Sequence, residues 1–267
     1  MLNSLHLYLR YLALSVRGQM QYRASFLMLT AGHFLLTGTE FLGVWALMER
    51  FGGLRGWRLP EVAVLYGAIN VSFALAEGVG RGFDIFSQQV KSGDFDRLLL
   101  RPRSTAFQVA ASEAQLFRVG RLAQGALILA WGLASAPIDW SPAAALLVPA
   151  MVLGGACLFY GLFVLQATLA FWTVDSLEVF NTVTYGGIET AQYPLEIYRP
   201  WFRRFFTVVV PLACANYLPV HALLGRPDPF GAPPLLQWAA PAGGLLFLLV
   251  CLRVWKTGER RYCSTGS

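Results

Sequence analysis

The chain has 267 residues, of which 56% are hydrophobic and only 13% charged. Soluble domains carry roughly 25% charged residues, so the polar shell of a water-facing globule is missing. The net charge of +6 sits on arginines and lysines scattered between apolar runs. They form no basic stripe, zinc-finger or RNP-like pattern, and this excludes nucleic acid as a partner.

What remains is a membrane protein. Mean hydropathy is +0.51 and aromatic residues reach 14%, as the belts at membrane–water interfaces require. Cys157, Cys214, Cys251 and Cys263 contain no C-x-x-C pair and read as packing residues, with no disulfide framework and no metal site. The opening MLNSLHLYLRYLALSVRGQ is not read as a cleavable leader, because Arg10 and Arg17 interrupt its apolar run and no A-x-A site follows.

Residues 2–22 are expected to form an amphipathic helix. Leu5, Leu9, Leu12, Val16 and Met20 recur every three or four residues, with Asn3, His6, Arg10 and Arg17 on the other side. Such a helix lies in the interface with its basic face on lipid headgroups. Region 1–23 is therefore assigned to it, and 24–267 to one transmembrane domain.

A spanning helix needs about 20 mostly apolar residues. Chain order gives Ala24–Met48, Pro60–Gly80, Ser112–Ala136, Ala143–Trp172, Leu177–Tyr193 and Pro234–Val254. All backbone amides must pair internally in lipid, so these runs are expected to be helices. The stretch Phe205–Gly225 is uncharged but interrupted by Pro211 and Pro219. It is either a seventh span or a re-entrant hairpin. Six spans with an inner N-terminus put two thirds of the basic residues inside, whereas seven divide them almost evenly. The positive-inside rule favours six. The expected fold is an all-α membrane protein: an N-terminal interfacial helix, six transmembrane helices, and an outer re-entrant segment, 194–225, between spans five and six. The main polar insertion, 81–104, then lies on the cytoplasmic side with both termini.

Catalytic signatures are missing from the sequence. There is no G-x-x-x-x-G-K-[ST], no H-E-x-x-H and no G-x-S-x-G. Intramembrane polar residues are the remaining candidates. His33, Thr37 and Glu40 fall at i, i+4 and i+7 on one face of the first span. They read either as part of a polar translocation path or subunit contact, or as a packing histidine with a glutamate near interfacial water. Glu77 and Arg81 are expected to pair at i, i+4, and Arg118 and Arg121 to snorkel toward headgroups. Glu189 follows Gly186–Gly187, which permit close helix approach. In the stretch YPLEIYRPW, Tyr193–Trp201, prolines break the helix and aromatics suit the headgroup zone.

Two motifs resemble a known family. KSGDFDRLLLRPRS, Lys91–Ser104, is similar to the loop after the second span of ABC-2-type exporter permeases, with Gly93, Asp96, Leu98, Leu99, Arg101 and Pro102 matching. The segment Tyr185–Pro219 resembles the family's fifth span and outer turn, through Tyr193, Pro194, Leu195, Glu196, Pro200, Trp201, Pro211 and Leu212. No S-G precedes the aromatic-proline turn here. The resemblance spans essentially the whole chain and is strongest to short permeases without a fused ATPase.

It implies a permease subunit in a bacterial inner membrane, not itself an enzyme. A second permease chain, the same or different, would complete a path between them, surrounded by membrane lipid. Cytosolic P-loop ATPase subunits would bind the ATP and magnesium, and this chain no cofactor. Phe83, Asp84, Gln88, Gly93, Asp94, Asp96, Arg101 and Pro102 would couple to the ATPase. His33, Thr37, Glu40, Glu189, Tyr193, Pro194 and Glu196 would belong to the path or its outer gate. A secondary transporter should show inverted repeats, and a lipid-modifying membrane enzyme clustered catalytic residues. Neither pattern is found.

Overall fold

The computed structural model describes residues 6, 10, 13, 14, 17–113, 118–172 and 177–262. The amphipathic helix expected over 2–22 falls partly outside the described residues. Among those described, helices carry the fold and no β-strand occurs.

The first long helix, α1 (Arg23–Phe51), ends where Gly52 takes a left-handed φ of 68°, a conformation that glycine adopts without a Cβ penalty. A short turn leads to α2 (Leu59–Asp84), with proline in its first turn where the missing N–H is harmless. Three short helices follow: α3 (Phe86–Lys91), α4 (Asp94–Leu99) and α5 (Thr105–Ala110). Next come α6 (Val119–Ser135) and α7 (Pro142–Leu169). The latter is started by Ser141, whose Oγ accepts from the Ala144 N–H at 3.1 Å. After α8 (Leu177–Ala191) the chain breaks into short pieces. These include α9 (Pro200–Arg204), two π-helical turns at Phe205–Val209 and Ala213–Tyr217, and α10 (Leu218–Leu223). The chain closes with α11 (Pro234–Ala239) and α12 (Pro241–Glu259).

Among the described residues, four helices are long and apolar enough to cross a membrane: α1, α2 with its continuation to Lys91, α7 and α12. The pair Pro200–Val209 and Ala213–Leu223 would add a fifth if taken as one span, but it is bent by 79°. Pro211 lies at that bend and breaks it, because it lacks the N–H that would continue the helix. The expected sixth span begins later than its apolar run. Pro241 separates α11 from α12, so the long helix shifts toward the C-terminus and carries Arg253 and Lys256 in its last turns.

The centre of the bundle is α2. Of its most apolar window 83% is buried, against 11% for α1. It packs along α6 on one side and α7 on the other, and α12 packs along α7. Lipid tails are as apolar as the side chains, so helices in a bilayer associate through close packing. Glycines provide it. A Cβ on Gly67 would meet the Leu129 backbone at 2.5 Å, and one on Gly132 would meet the Val64 nitrogen at 2.9 Å. Gly154 and Gly244 press on each other where α7 crosses α12. By contrast α1 leans mainly on α6, and its Leu27, Met28, Leu35 and Leu36 are exposed apolar residues.

Candidate functional site

Three polar or aromatic clusters stand out along the bundle, one at each end and one between. At the end carrying α3–α5, the short helices are welded to the spans. Phe86 and Phe95 meet with centroids 5.1 Å apart, and Phe86 lies 4.9 Å from Trp255 of α12. Phe171, just past α7, touches Phe86, Phe95 and Trp255. Trp255 Nε1 donates to Thr105 Oγ1 at 3.0 Å. Tyr262 packs on Phe95 at 4.9 Å, and burial together with the adjacent Asp96 carboxylate raises its hydroxyl above the ordinary tyrosine range. Any force on α3–α5 therefore reaches α2, α7 and α12 through rigid aromatic contacts.

The sequence-picked coupling residues divide into two sets. Phe83 is fully buried, and Asp84 is paired with Arg81. Gln88, Asp94, Arg101 and Pro102 are exposed. Gly93 sits at the α3–α4 turn with φ 74°, a left-handed position that disfavours any side chain. Asp94 accepts from Ser92 Oγ at 2.7 Å. Gln108 closes the following turn by donating to the Leu98 and Arg103 carbonyls, both at 3.0 Å. Leu100 beside it is 86% exposed.

Deeper in the bundle, the expected Glu77–Arg81 pair does not form. Glu77 pairs with Arg118 of the α6 entrance at 2.8 Å, and Arg81 with Asp84. Arg118 and Arg121 do not reach outward either. Arg118 is mostly buried, and the buried Arg121 guanidinium lies over the Phe73 ring at 5.2 Å. A wholly buried carboxylate needs its counter-charge inside the bundle, and the α2–α6 crossing brings one closer than the helix's own next turn.

Thr37 is fully buried. Its hydroxyl bonds back to the His33 carbonyl at 2.8 Å, and its own carbonyl accepts from Tyr66 OH at 2.8 Å and Gln124 Nε2 at 3.2 Å. It thus ties α1 to α2 and α6. Glu40, one turn on, keeps Oε2 without a hydrogen-bond partner among the described residues. Glu189 of α8 is exposed and lies within electrostatic reach of Glu40 and Arg121, and Tyr193 within reach of both glutamates. The structure thus gathers Glu40, Glu189 and Tyr193 into one neighbourhood between α1 and α8. His33 is within reach of Arg118 and Arg121.

At the opposite end, Glu196 is the hub. Its carboxylate accepts from Trp57 Nε1 at 3.1 Å and from Tyr217 OH at 2.9 Å, with His221 Nε2 at 3.5 Å. Pro194 is buried and precedes a single 3-10 turn. Arg226 grips Glu61 with two bonds, 2.9 and 2.7 Å. Asn216 reaches the Ala191 carbonyl at 2.6 Å, and Tyr198 OH the Thr190 carbonyl at 3.1 Å. Together these fasten the bent segment to α2, α8 and the α1–α2 turn. Sequence reasoning missed Trp57, Glu61, Tyr217, His221 and Arg226. Each lies far along the chain from its partner, so no local spacing announces the contact.

A family model described as ABC-2 family transporter protein matches residues 34–266 of the chain. No curated protein matches it, and no solved structure does.

Proposed function

Since the chain belongs to the ABC-2 transporter family, as a multi-pass membrane permease subunit, we propose that it forms one half of a dimeric export path driven by separate cytosolic ATPase chains. The observation that carries this reading is the aromatic weld between α3–α5 and the ends of α2, α7 and α12. A short-helix segment fixed so rigidly to the spans suits a lever better than a passive loop.

In this reading the short helices α3–α5 face the cytosol with both termini, in a bacterial inner membrane. Gln88, Asp94, Arg101 and Pro102 offer the exposed contact to the ATPase, while Phe83, Asp84, Gly93 and Asp96 hold its shape. ATP and magnesium act on that partner chain. Closure of the ATPase pair shifts a two-state arrangement of spans, and rigid helices transmit the shift. Six spans are counted by taking α6 and α8 as crossing helices and Pro200–Leu223 as an outer re-entrant element. The second permease chain lies against α1, whose exposed apolar face suits a protein neighbour or lipid. Substrate passes between the two chains, along the side where Glu40, Glu189 and Tyr193 meet, with His33 and Thr37 behind them. Pro194 and Glu196 belong to the outer gate.

The test is co-purification. The tagged chain is expressed with its genomic neighbours, extracted in mild detergent and assayed for ATP hydrolysis. A stoichiometric P-loop ATPase, lost when Gln88 and Asp94 are both replaced by arginine, is the expected result. A correctly folded chain that elutes alone and supports no hydrolysis overturns the proposal.

A further inference from the structure

Beside the short-helix segment, a cavity of about 250 Å³ opens between α12 and the start of α5. Leu249, Leu252 and Ala106 make its apolar floor. Its rim carries Ser104, Arg253, Lys256 and Glu259. The Trp255–Thr105 hydrogen bond fixes the two walls relative to each other across 150 residues of sequence.

The charges on the rim are available. Arg253 and Lys256 are exposed and make no ion pair among the described residues. Two cations and one carboxylate leave the rim with net positive charge. Polarity also changes along the helix. Leu249 lies one turn inward from Arg253, about 6 Å at 1.5 Å per residue. Beyond it Leu245 and Leu246 continue as exposed apolar surface. An apolar trough that runs into the hydrocarbon and ends under two cations is complementary to one lipid, tail and phosphate together. Basic residues at span ends ordinarily snorkel into an undifferentiated headgroup layer. Here a second element, Ser104–Ala106, closes the other side and makes a pocket, of the kind that binds anionic headgroups between helices.

We propose that this cavity binds one anionic glycerophospholipid, with its phosphate on Arg253 and Lys256 and an acyl chain along Leu249 and Leu252. Glu259 accepts from a headgroup hydroxyl. The bound lipid bridges α12 and the short-helix segment, so membrane composition bears on the stiffness of that joint. The inference does not depend on the transport reading or on which leaflet this end faces.

Native mass spectrometry of the delipidated full chain in detergent tests it, with titration of phosphatidylglycerol, phosphatidylcholine of matched chains, or inorganic phosphate. One phosphatidylglycerol should stay bound under activation that strips phosphatidylcholine. Replacing both cations, Arg253→Gln with Lys256→Gln, should weaken retention about 30-fold, the effect of two interfacial charges. Ala106→Trp fills the floor and leaves both cations in place, and it too should abolish retention. Equal retention of the two lipids, an unaffected double variant, or an unaffected Ala106→Trp chain each overturns the proposal. Displacement of the lipid by inorganic phosphate overturns it as well, since the site would then recognise a bare anion.

Discussion

The carboxylate of Glu61 and the guanidinium of Arg226 meet through two hydrogen bonds, 2.7 and 2.9 Å, across 165 residues of sequence. Glu61 is wholly buried, and Arg226 retains partial contact with solvent. A fork-to-fork pair of this kind fixes orientation as well as proximity. It pins the chain after α10 to the first turn of α2, where Glu61 also accepts from the Arg58 N–H at 3.0 Å.

Arg226→Ala should therefore destabilise this end of the bundle by about 1–3 kcal/mol, less than the loss of a fully buried partner because solvent screens the arginine side. The Glu61→Gln/Arg226→Gln double variant should recover part of that loss, since no buried charge is left alone. Thermal unfolding of the detergent-purified variants measures both. Equal melting temperatures for wild type and Arg226→Ala would mean that the pair contributes geometry without stability.

Within the bundle, Glu77 depends on Arg118 more heavily. Its side chain is fully buried, and the arginine approaches at 2.8 Å from the start of α6. Removing the cation leaves a carboxylate in a low-dielectric interior, which costs about 3–5 kcal/mol. Arg118→Ala should accumulate poorly in the membrane, while Arg118→Ala with Glu77→Gln should accumulate near wild-type levels. Quantitative blotting of membrane fractions separates the two. Failure of the double variant to recover would assign Arg118 a role independent of Glu77.

These two pairs show what the sequence could and could not reveal. Long apolar runs made α1, α2 and α7 legible, because a spanning helix is a local property of composition. Pro211 was legible as a break for the same reason, since its effect acts on its own backbone. The ion pairs were not. Local spacing matched Glu77 to Arg81 at i, i+4, but the α2–α6 crossing at Gly67, Gly125 and Gly132 brings Arg118 nearer. Glu196 was picked through a motif resemblance, yet its partners Trp57, Tyr217 and His221 arrive from other elements. Tertiary pairing is set by helix packing, which no spacing within one helix encodes.

At the short-helix end, Trp255 joins aromatic packing to a hydrogen bond. Trp255→Phe keeps most of the packing and removes the donor to Thr105, so it should lower stability by about 1 kcal/mol. Trp255→Ala removes the ring that Phe83, Phe86 and Phe171 all touch and should cost about 3–5 kcal/mol. Hydrogen exchange over 86–110 reads the local effect. Exchange in this segment should rise sharply for the alanine variant and slightly for phenylalanine. An unchanged segment in Trp255→Ala would show that the joint is held elsewhere.

If Glu196 belongs to an outer gate, as proposed above, its contacts face the opposite demand, because a gate must open. Glu196 is held by two neutral donors, the Trp57 indole and the Tyr217 hydroxyl, with His221 at the edge of reach. Hydrogen bonds between a carboxylate and such donors contribute about 1.5–3 kcal/mol each to a charged acceptor. That is strong enough to keep the segment docked and weak enough for a conformational cycle to break. Glu196→Gln retains an acceptor oxygen but loses the charge, so it should favour the undocked state several-fold. Glu196→Ala should undock the segment outright and leave Tyr217 and Trp57 without their acceptor. A cysteine-free chain carrying a single engineered thiol at Leu195, buried in the docked state, reports the change through its labelling rate with a polar maleimide. Labelling should accelerate from wild type to Glu196→Gln to Glu196→Ala. If all three label at one rate, the Glu196 contacts do not hold the latch closed, and docking rests on the Arg226–Glu61 clamp and the Asn216 bond to α8.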